Sequence, residues 1–395
     1  MSKPRQSTEL IHHPYQAPAG FAAMTIPVHK ASTVFFESIA QMRATDWRVG
    51  QPYSYGLHGT PTTYTLEARI ATLEGGKHCL LAPSGLSAIA IVNLGLLKSG
   101  DEVLIPDNVY GPNRDLLYSL LAHYGVSTRV YDPLHADRLQ LSSHTKLLWL
   151  EAAGSITMEF PDLQGLIARA KQAGVLTALD NTWGAGLAFC PFDHGVDISV
   201  HALTKYPSGG GDVLMGSIVC RDDALFQSLK ITHGQLGIGV AANDAELVLR
   251  NLPSLALRYD AQDRTAKTLA QWCALQPEIA QVLHPALPES AGHAYWQHVC
   301  GATGRAAGLF SVIFAPQYSQ AKIDQFCDAL QLFKIGYSWG GPISLVMPYH
   351  LPAIRPQPTP HLVQGCLVRF SIGLEDIADL QADLQQAFAV FRENA

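Results

Sequence analysis

Charge is scarce in this chain. Of 395 residues only 15% are Asp, Glu, Lys or Arg, against 48% hydrophobic, and the net charge is −6. Such a composition implies extensive burial, a subunit interface included. No Lys/Arg block stands out, so neither nucleic acid nor an anionic membrane surface has compositional support. No apolar run reaches 18 residues, which predicts no transmembrane helix. The start, MSKPRQSTELIHHPYQAP, lacks the apolar core of a signal peptide. The seven cysteines (79, 190, 220, 273, 300, 327 and 366) include no C-x-x-C pair. That argues against a structural zinc site or a disulfide framework and fits a reducing, cytoplasmic setting. The sixteen histidines show no H-E-x-x-H spacing, so no metal is expected. GIGVAA (237–242) imitates a dinucleotide fingerprint but lacks a preceding strand, and APSGLSA (82–88) does not match a nucleophile elbow.

What is present is alternation. EVLIP (102–106), STRVYD (127–132), KLLWLE (146–151), VLTALD (175–180), DISVHA (197–202) and VLMGSIVC (213–220) read as buried strands. Helical patterns at 113–125 and 163–174 lie between them. This predicts an α/β fold with a mostly parallel sheet covered on both faces, its ligands at the carboxyl ends of the strands. After about residue 245 a long helix broken near Pro253 leads to GLFSVIFA, SLVMP and CLVRFSIG. A last helix carries Ile377, Leu380, Leu384, Phe388 and Phe391 at three-to-four spacing. The expected organisation is an extended arm over 1–55 contacting a neighbouring subunit, a large domain over 56–245 and a smaller α+β domain over 246–395.

Three features carry chemistry. Lys205 follows a buried strand and precedes Gly209-Gly210-Gly211, which lets backbone approach closely. Ser84-Gly85-Leu86 stands between a strand and a helix N-terminus, where free N–H groups suit a phosphate. Asp180 ends a buried strand, where a carboxylate calls for a cation. The protonated ring nitrogen of pyridoxal phosphate is such a cation, and a Schiff-base lysine completes the set.

These residues resemble the Cys/Met-metabolism family of pyridoxal-phosphate enzymes, of the fold-type I, aminotransferase-like architecture, and the likeness runs from PVHKASTVFF to LVRFSIGLEDIADLQADL. GSITMEFPD, DNTWGAG, YSWGG and HPALPES carry a narrower likeness to its carbon–sulfur β-lyases. The resemblance implies cleavage of L-cystathionine to homocysteine, pyruvate and ammonia by a cytoplasmic homo-oligomer, a tetramer built from two dimers. It implies that Lys205 holds the cofactor and moves the Cα proton, that Asp180 pairs with the ring nitrogen and that Tyr110 stacks on the ring. Ser84, Gly85, Leu86 and Thr204 would hold the phosphate, with Tyr55 reaching in from the adjacent subunit. Arg369 would grip the substrate α-carboxylate, with Ser338 and Trp339 lining the same region. The family's Y-G-R-x-G is here YGLHG, so Leu57-His58 stands at the phosphate-binding arginine, and His58 is the candidate replacement. Gly209-Gly210-Gly211-Asp212 and EAAGS (151–155) also depart from the usual G-H-S-D and E-S-P.

Overall fold

The computed structural model describes residues 5–15, 17, 19–21, 23–49, 53–355 and 359–391. The N-terminal arm is not wholly extended: it carries α1 (Gln6–Ile11) and α2 (Ile39–Ala44). Leu10 of α1 is buried in the chain's own core, and Gln6 Nε2 donates to the carbonyls of Leu73 and Gly186 at 2.7 and 2.8 Å. Beyond residue 21 Ile26 is buried, but several apolar side chains of the arm are uncovered, Met24 96% and Phe35 92% exposed.

The large sheet starts after α3 (Pro61–Glu74), whose N-terminus has Pro61 in its first turn and a reciprocal Thr60/Thr63 capping box. It comprises β1 (His78–Ala82), β2 (Glu102–Pro106), β3 (Ser127–Tyr131), β4 (Thr145–Glu151), β5 (Leu176–Asp180), β6 (Ile198–His201) and β7 (Gly216–Cys220). The interleaved helices are α4 (Gly85–Leu96), α5 (Gly111–Leu116, continued by a π turn over 117–121) and α6 (Leu163–Gln172). The spatial order is β1-β7-β6-β5-β4-β2-β3, parallel from β3 through β6, with β7 antiparallel to both neighbours. Alternation sends Leu148, Leu150 and Leu179 into one apolar cluster and Leu147, Trp149 and Ala178 into another, so both faces are covered. The strand expected over 213–220 begins only at Gly216, because Met215 bonds Thr204 instead: its N–H donates to Thr204 Oγ1 at 3.0 Å, and its carbonyl accepts from Thr204 N–H.

After α7 (Asp223–Gln235) come α8 (Ala242–Asn251) and α9 (Leu255–Cys273), separated by a tight turn holding Pro253. The second sheet contains β8 (Ile279–Leu283), β9 (Leu309–Phe314), β10 (Lys334–Ile335), β11 (Leu345–Tyr349) and β12 (Leu367–Ser371) in the order β10-β11-β12-β9-β8. Around it lie α10 (His293–Cys300), α11 (Gln320–Ala329), α12 (Leu351–Ile354) and α13 (Ile377–Ala387). Leu380, Leu384, Phe388 and Phe391 pack with Val368, Phe370 and Ile372 in this domain's own core. A fully buried aromatic of this kind contributes roughly 1.5–3 kcal/mol. Leu367, on the other face of β12, joins the large domain's core instead. Arg369 shares that face, so the strand's two-residue period aims it at the large domain.

Candidate active site

β4 and β5 pair in parallel with Glu151 opposite Asp180, so two carboxylates end adjacent strands. Asp180 Oδ1 accepts from the Thr182 N–H at 3.0 Å and its hydroxyl at 2.5 Å, and Thr182 Oγ1 accepts from Ala202 N–H at 2.9 Å. That last bond ties β5's end to the turn leading into Lys205. Glu151 Oε1 accepts from the Tyr110 N–H at 2.5 Å and Oε2 from the Ser155 N–H at 3.1 Å. Burial raises the pKa of both carboxyls, and Asp180 pushes Glu151 further; Thr182's hydrogen bonds, His201 and Lys205 oppose the rise at Asp180. Two desolvated carboxyls side by side favour a bound proton or cation between them.

Lys205 lies four residues past β6. Its Nζ donates to Ser338 Oγ at 2.8 Å and sits 5.5 Å from the Trp339 ring centroid. Burial, then Arg369's charge, pull its pKa from 10.5 down to about 8, against an opposing pull from Asp180. At neutral pH roughly a tenth of this amine is therefore uncharged, hundreds of times more than for an ordinary lysine. Ser338 has φ +80°, a left-handed conformation rarely taken by a residue with a side chain. Gly340 follows at φ +78°, where an added Cβ would come within 2.9 Å of the Tyr206 nitrogen. The Ser338–Gly340 turn thus presses directly on the lysine's backbone.

Arg369 is 9% exposed, its Nη2 donates to the Ser338 carbonyl at 3.2 Å, and its guanidinium lies 5.4 Å from the Tyr349 ring centroid. Among the described residues no carboxylate pairs with it, and its buried Nε has no partner. A buried, forked cation beside the lysine, with no carboxylate partner among the described residues, has the chemistry to receive one. Tyr110 stands at the N-cap of α5; burial, Asp180, Glu151 and Tyr349 raise its pKa, so its phenol keeps its proton.

At α4's N-terminus Ser84 Oγ accepts from the Ser87 N–H at 3.0 Å, leaving the N–H groups of Gly85 and Leu86 without intrahelical acceptors. A Cβ on Gly85 would meet the Ala202 Cβ at 2.7 Å, so only glycine lets this turn rest on the strand before Lys205. Thr204 adjoins that lysine.

The structure therefore joins Lys205, Ser338, Trp339 and Arg369 by direct contacts, brings Asp180 within electrostatic reach of Lys205 and Tyr110, and sets the Ser84 turn against Ala202 just before the lysine. Tyr55 and His58 stand apart on the arm, Tyr55 46% exposed. His58 stacks on Trp47 with centroids 4.6 Å apart; burial and then Lys230's charge lower its pKa, so the ring is neutral at pH 7. Leu57, at the usual arginine position, lies against Gly239 of the GIGV loop. Two groups escaped the sequence reading. Glu151 carried the same signal as Asp180, a charge ending a buried strand. Tyr349 carried none.

A softened buried lysine, a carboxylate wanting a cation, a helix N-terminus for phosphate and an arginine without a carboxylate partner together fit pyridoxal phosphate and an amino-acid carboxylate. They define a cofactor-dependent enzyme of amino-acid chemistry. The chain belongs to the Cys/Met metabolism PLP-dependent enzymes: that family's model matches residues 7–389, and pyridoxal phosphate is its cofactor. It is 40% identical to a putative cystathionine beta-lyase of Rhizobium johnstonii over 92% of this chain and 90% of that one. It is 35% identical to the cystathionine beta-lyase MetC of Escherichia coli, over 98% of this chain and 99% of the relative. The crystal structure of metB from Corynebacterium glutamicum superposes with a TM-score of 0.89 at 28% identity, covering 98% of each chain. Among the described residues no helix is long and apolar enough to cross a membrane.

Proposed function

We propose that this chain is a carbon–sulfur β-lyase that cleaves L-cystathionine to homocysteine, pyruvate and ammonia. One observation carries the reading: Ser338 accepts a hydrogen bond from Lys205 Nζ on its hydroxyl and another from Arg369 on its carbonyl. A proton-moving amine and a carboxylate receptor are thus joined through a single residue, and an amino acid held by Arg369 presents its Cα to Lys205. When bound, pyridoxal phosphate supplies an electron sink for the charge left at Cα. Lys205 would anchor the cofactor and, once freed, take the Cα proton. Asp180 would hold the proton on the ring nitrogen, and Tyr110 would lie on the ring face with a phenol able to protonate the departing sulfur. Ser84, Gly85, Leu86 and Thr204 would receive the phosphate, and Ser338 and Trp339 would close the substrate side.

Incubation with L-cystathionine is expected to give pyruvate in large excess over 2-oxobutyrate. Dominant 2-oxobutyrate would instead mark a γ-lyase of the family, and no keto acid at all would mark either a member acting on another substrate, such as a γ-synthase or a cysteine desulfhydrase, or a non-catalytic one.

The exposed apolar side chains of the arm support a dimer as the smallest active unit, paired into a tetramer, with Tyr55 and His58 serving the neighbour's site. Mixing inactive Tyr55→Ala and Lys205→Ala subunits is then expected to restore part of the activity, since one shared site regains both groups. An active monomer seen by light scattering during assay contradicts this.

At that site a dianionic phosphate would favour the imidazolium of His58, a ring otherwise neutral at pH 7. Its grip would be strongest at acid pH and lost as pH rises through the pKa of the complex. Dialysis is expected to strip cofactor from the wild type faster at alkaline than at mildly acid pH, and from His58→Arg equally at both. Equal loss from both proteins at both pH values removes His58 from the phosphate site.

A further inference from the structure

We infer that Arg355 is a positioning residue: through Asp107 and Glu159 it fixes the loop that carries Tyr110 and ties that loop to the smaller domain. Arg355 follows α12 in the strap between β11 and β12, and it is 7% exposed. Its Nη1 donates to Glu159 Oε1 and to Thr157 Oγ1, both at 2.7 Å, and its Nη2 donates to Asp107 Oδ2 at 2.8 Å. These acceptors belong to the large domain, Asp107 just past β2 and Glu159 in the segment after β4. From the same strap, His361 Nε2 bonds Glu159 Oε1 at 2.8 Å, and the Ile354 carbonyl accepts from Arg114 of α5 at 3.3 Å.

Asp107 begins the run Asp107-Asn108-Val109-Tyr110, and each end of that run is pinned. Asn108 Nδ2 donates to Glu159 Oε2 at 2.9 Å, the Asn108 carbonyl accepts from the Ser155 N–H at 3.0 Å, and the Tyr110 N–H reaches Glu151. Burial works to raise the Glu159 pKa, yet His361, Arg355, Asn108 and Thr157 bring it down to about 2, so it stays ionised. On the strap's other side, Tyr349 immediately precedes it and lies against Arg369. One buried guanidinium thus ties the loop that carries Tyr110 to the strap that follows Tyr349. Lysine cannot replace it, since a single ammonium does not span acceptors placed on both arms of the fork.

This inference rests on the site reading above only where it concerns Tyr110's effect on the cofactor. In the holoenzyme, Arg355→Lys is expected to speed hydrogen exchange of the backbone amides of 107–114 at least about tenfold while those of 176–182 stay unchanged. The visible circular dichroism of the bound cofactor is expected to change, and kcat to fall about 10- to 100-fold with KM within about threefold, the scale of a misplaced reacting group. On a Tyr110→Ala background the same substitution should cost little more, because two residues acting as one unit are not additive. Asp107→Asn, which keeps Arg355 on Glu159, is expected to give the same pattern more weakly, and it serves if the lysine variant fails to fold. Unchanged exchange at 107–114 in whichever variant folds, or a kinetic penalty that persists in full without Tyr110, overturns the inference. If Tyr110→Ala alone leaves turnover intact, the site reading fails, and the exchange measurement still decides the latch.

Discussion

Lys205→Ala is expected to fold, to lose turnover by a factor of at least about 10³, and to melt no lower than the wild type when both lack cofactor. The kinetic loss follows from removing the group assigned both anchoring and proton transfer. The stability claim follows from linkage. In the folded chain the Lys205 pKa is about 8, below its ordinary 10.5. Folding therefore desolvates a charged amine at neutral pH, at a cost on the order of 3 kcal/mol. That cost is fully present below pH 8 and fades as pH rises from there towards 10.5. The melting-temperature advantage of the alanine variant should shrink across the same interval, and a variant that melts well below the wild type at pH 7 contradicts it. Borohydride reduction of the holoenzyme is expected to fix the cofactor on the peptide containing Lys205. An adduct on Lys30, Lys77 or Lys230 would sink the assignment; Lys77 is engaged with Asp223 at 2.6 Å and Lys230 is buried.

Arg369→Leu should lower kcat/KM for L-cystathionine by about 10²–10⁴-fold, mostly through KM, with the fold intact. Each charge-assisted hydrogen bond to a carboxylate is worth about 1.5–3 kcal/mol, and a forked guanidinium makes two. Arg369→Lys keeps the charge but not the fork, so most of the loss should remain. Arg369 forms no ion pair among the described residues, and burial lowers its pKa. Its removal therefore leaves no carboxylate stranded, and the melting temperature should hold or rise. A KM unchanged in the leucine variant would place the substrate carboxylate elsewhere.

Much of this site was legible in the sequence, for a local reason. A strand buried on both faces reads as a continuous apolar run, so the charged group that ends it stands out; Asp180 and Lys205 announced themselves in this way. The two-residue period of CLVRFSI likewise sets Arg369 apart from Val368, Phe370 and Ile372, the face that packs into the smaller domain's core. The three-to-four spacing of Leu380, Leu384, Phe388 and Phe391 gave the buried face of α13 and of the 3-10 turn over Phe388–Phe391 that continues it. The breaking effect of Pro253 separated α8 from α9. Each of these signals lies within a few residues, where backbone geometry alone dictates which side chains share a face.

Other features depended on which distant segments meet. Glu151 becomes Asp180's neighbour only through the β4–β5 register, and β7 runs against its neighbours without any mark in its own residues. The start of β7 was lost to Thr204, a competing partner eleven residues upstream. Ser338's bond to Lys205 spans 133 positions, and Arg355's bond to Asp107 spans 248. The sequence alone determined which residues are buried, which faces they share and which charges end the strands, because periodicity and desolvation act locally. Only the tertiary structure decided which of those charges neutralise, orient or leave one another free, because that depends on distances set by the packing of two domains.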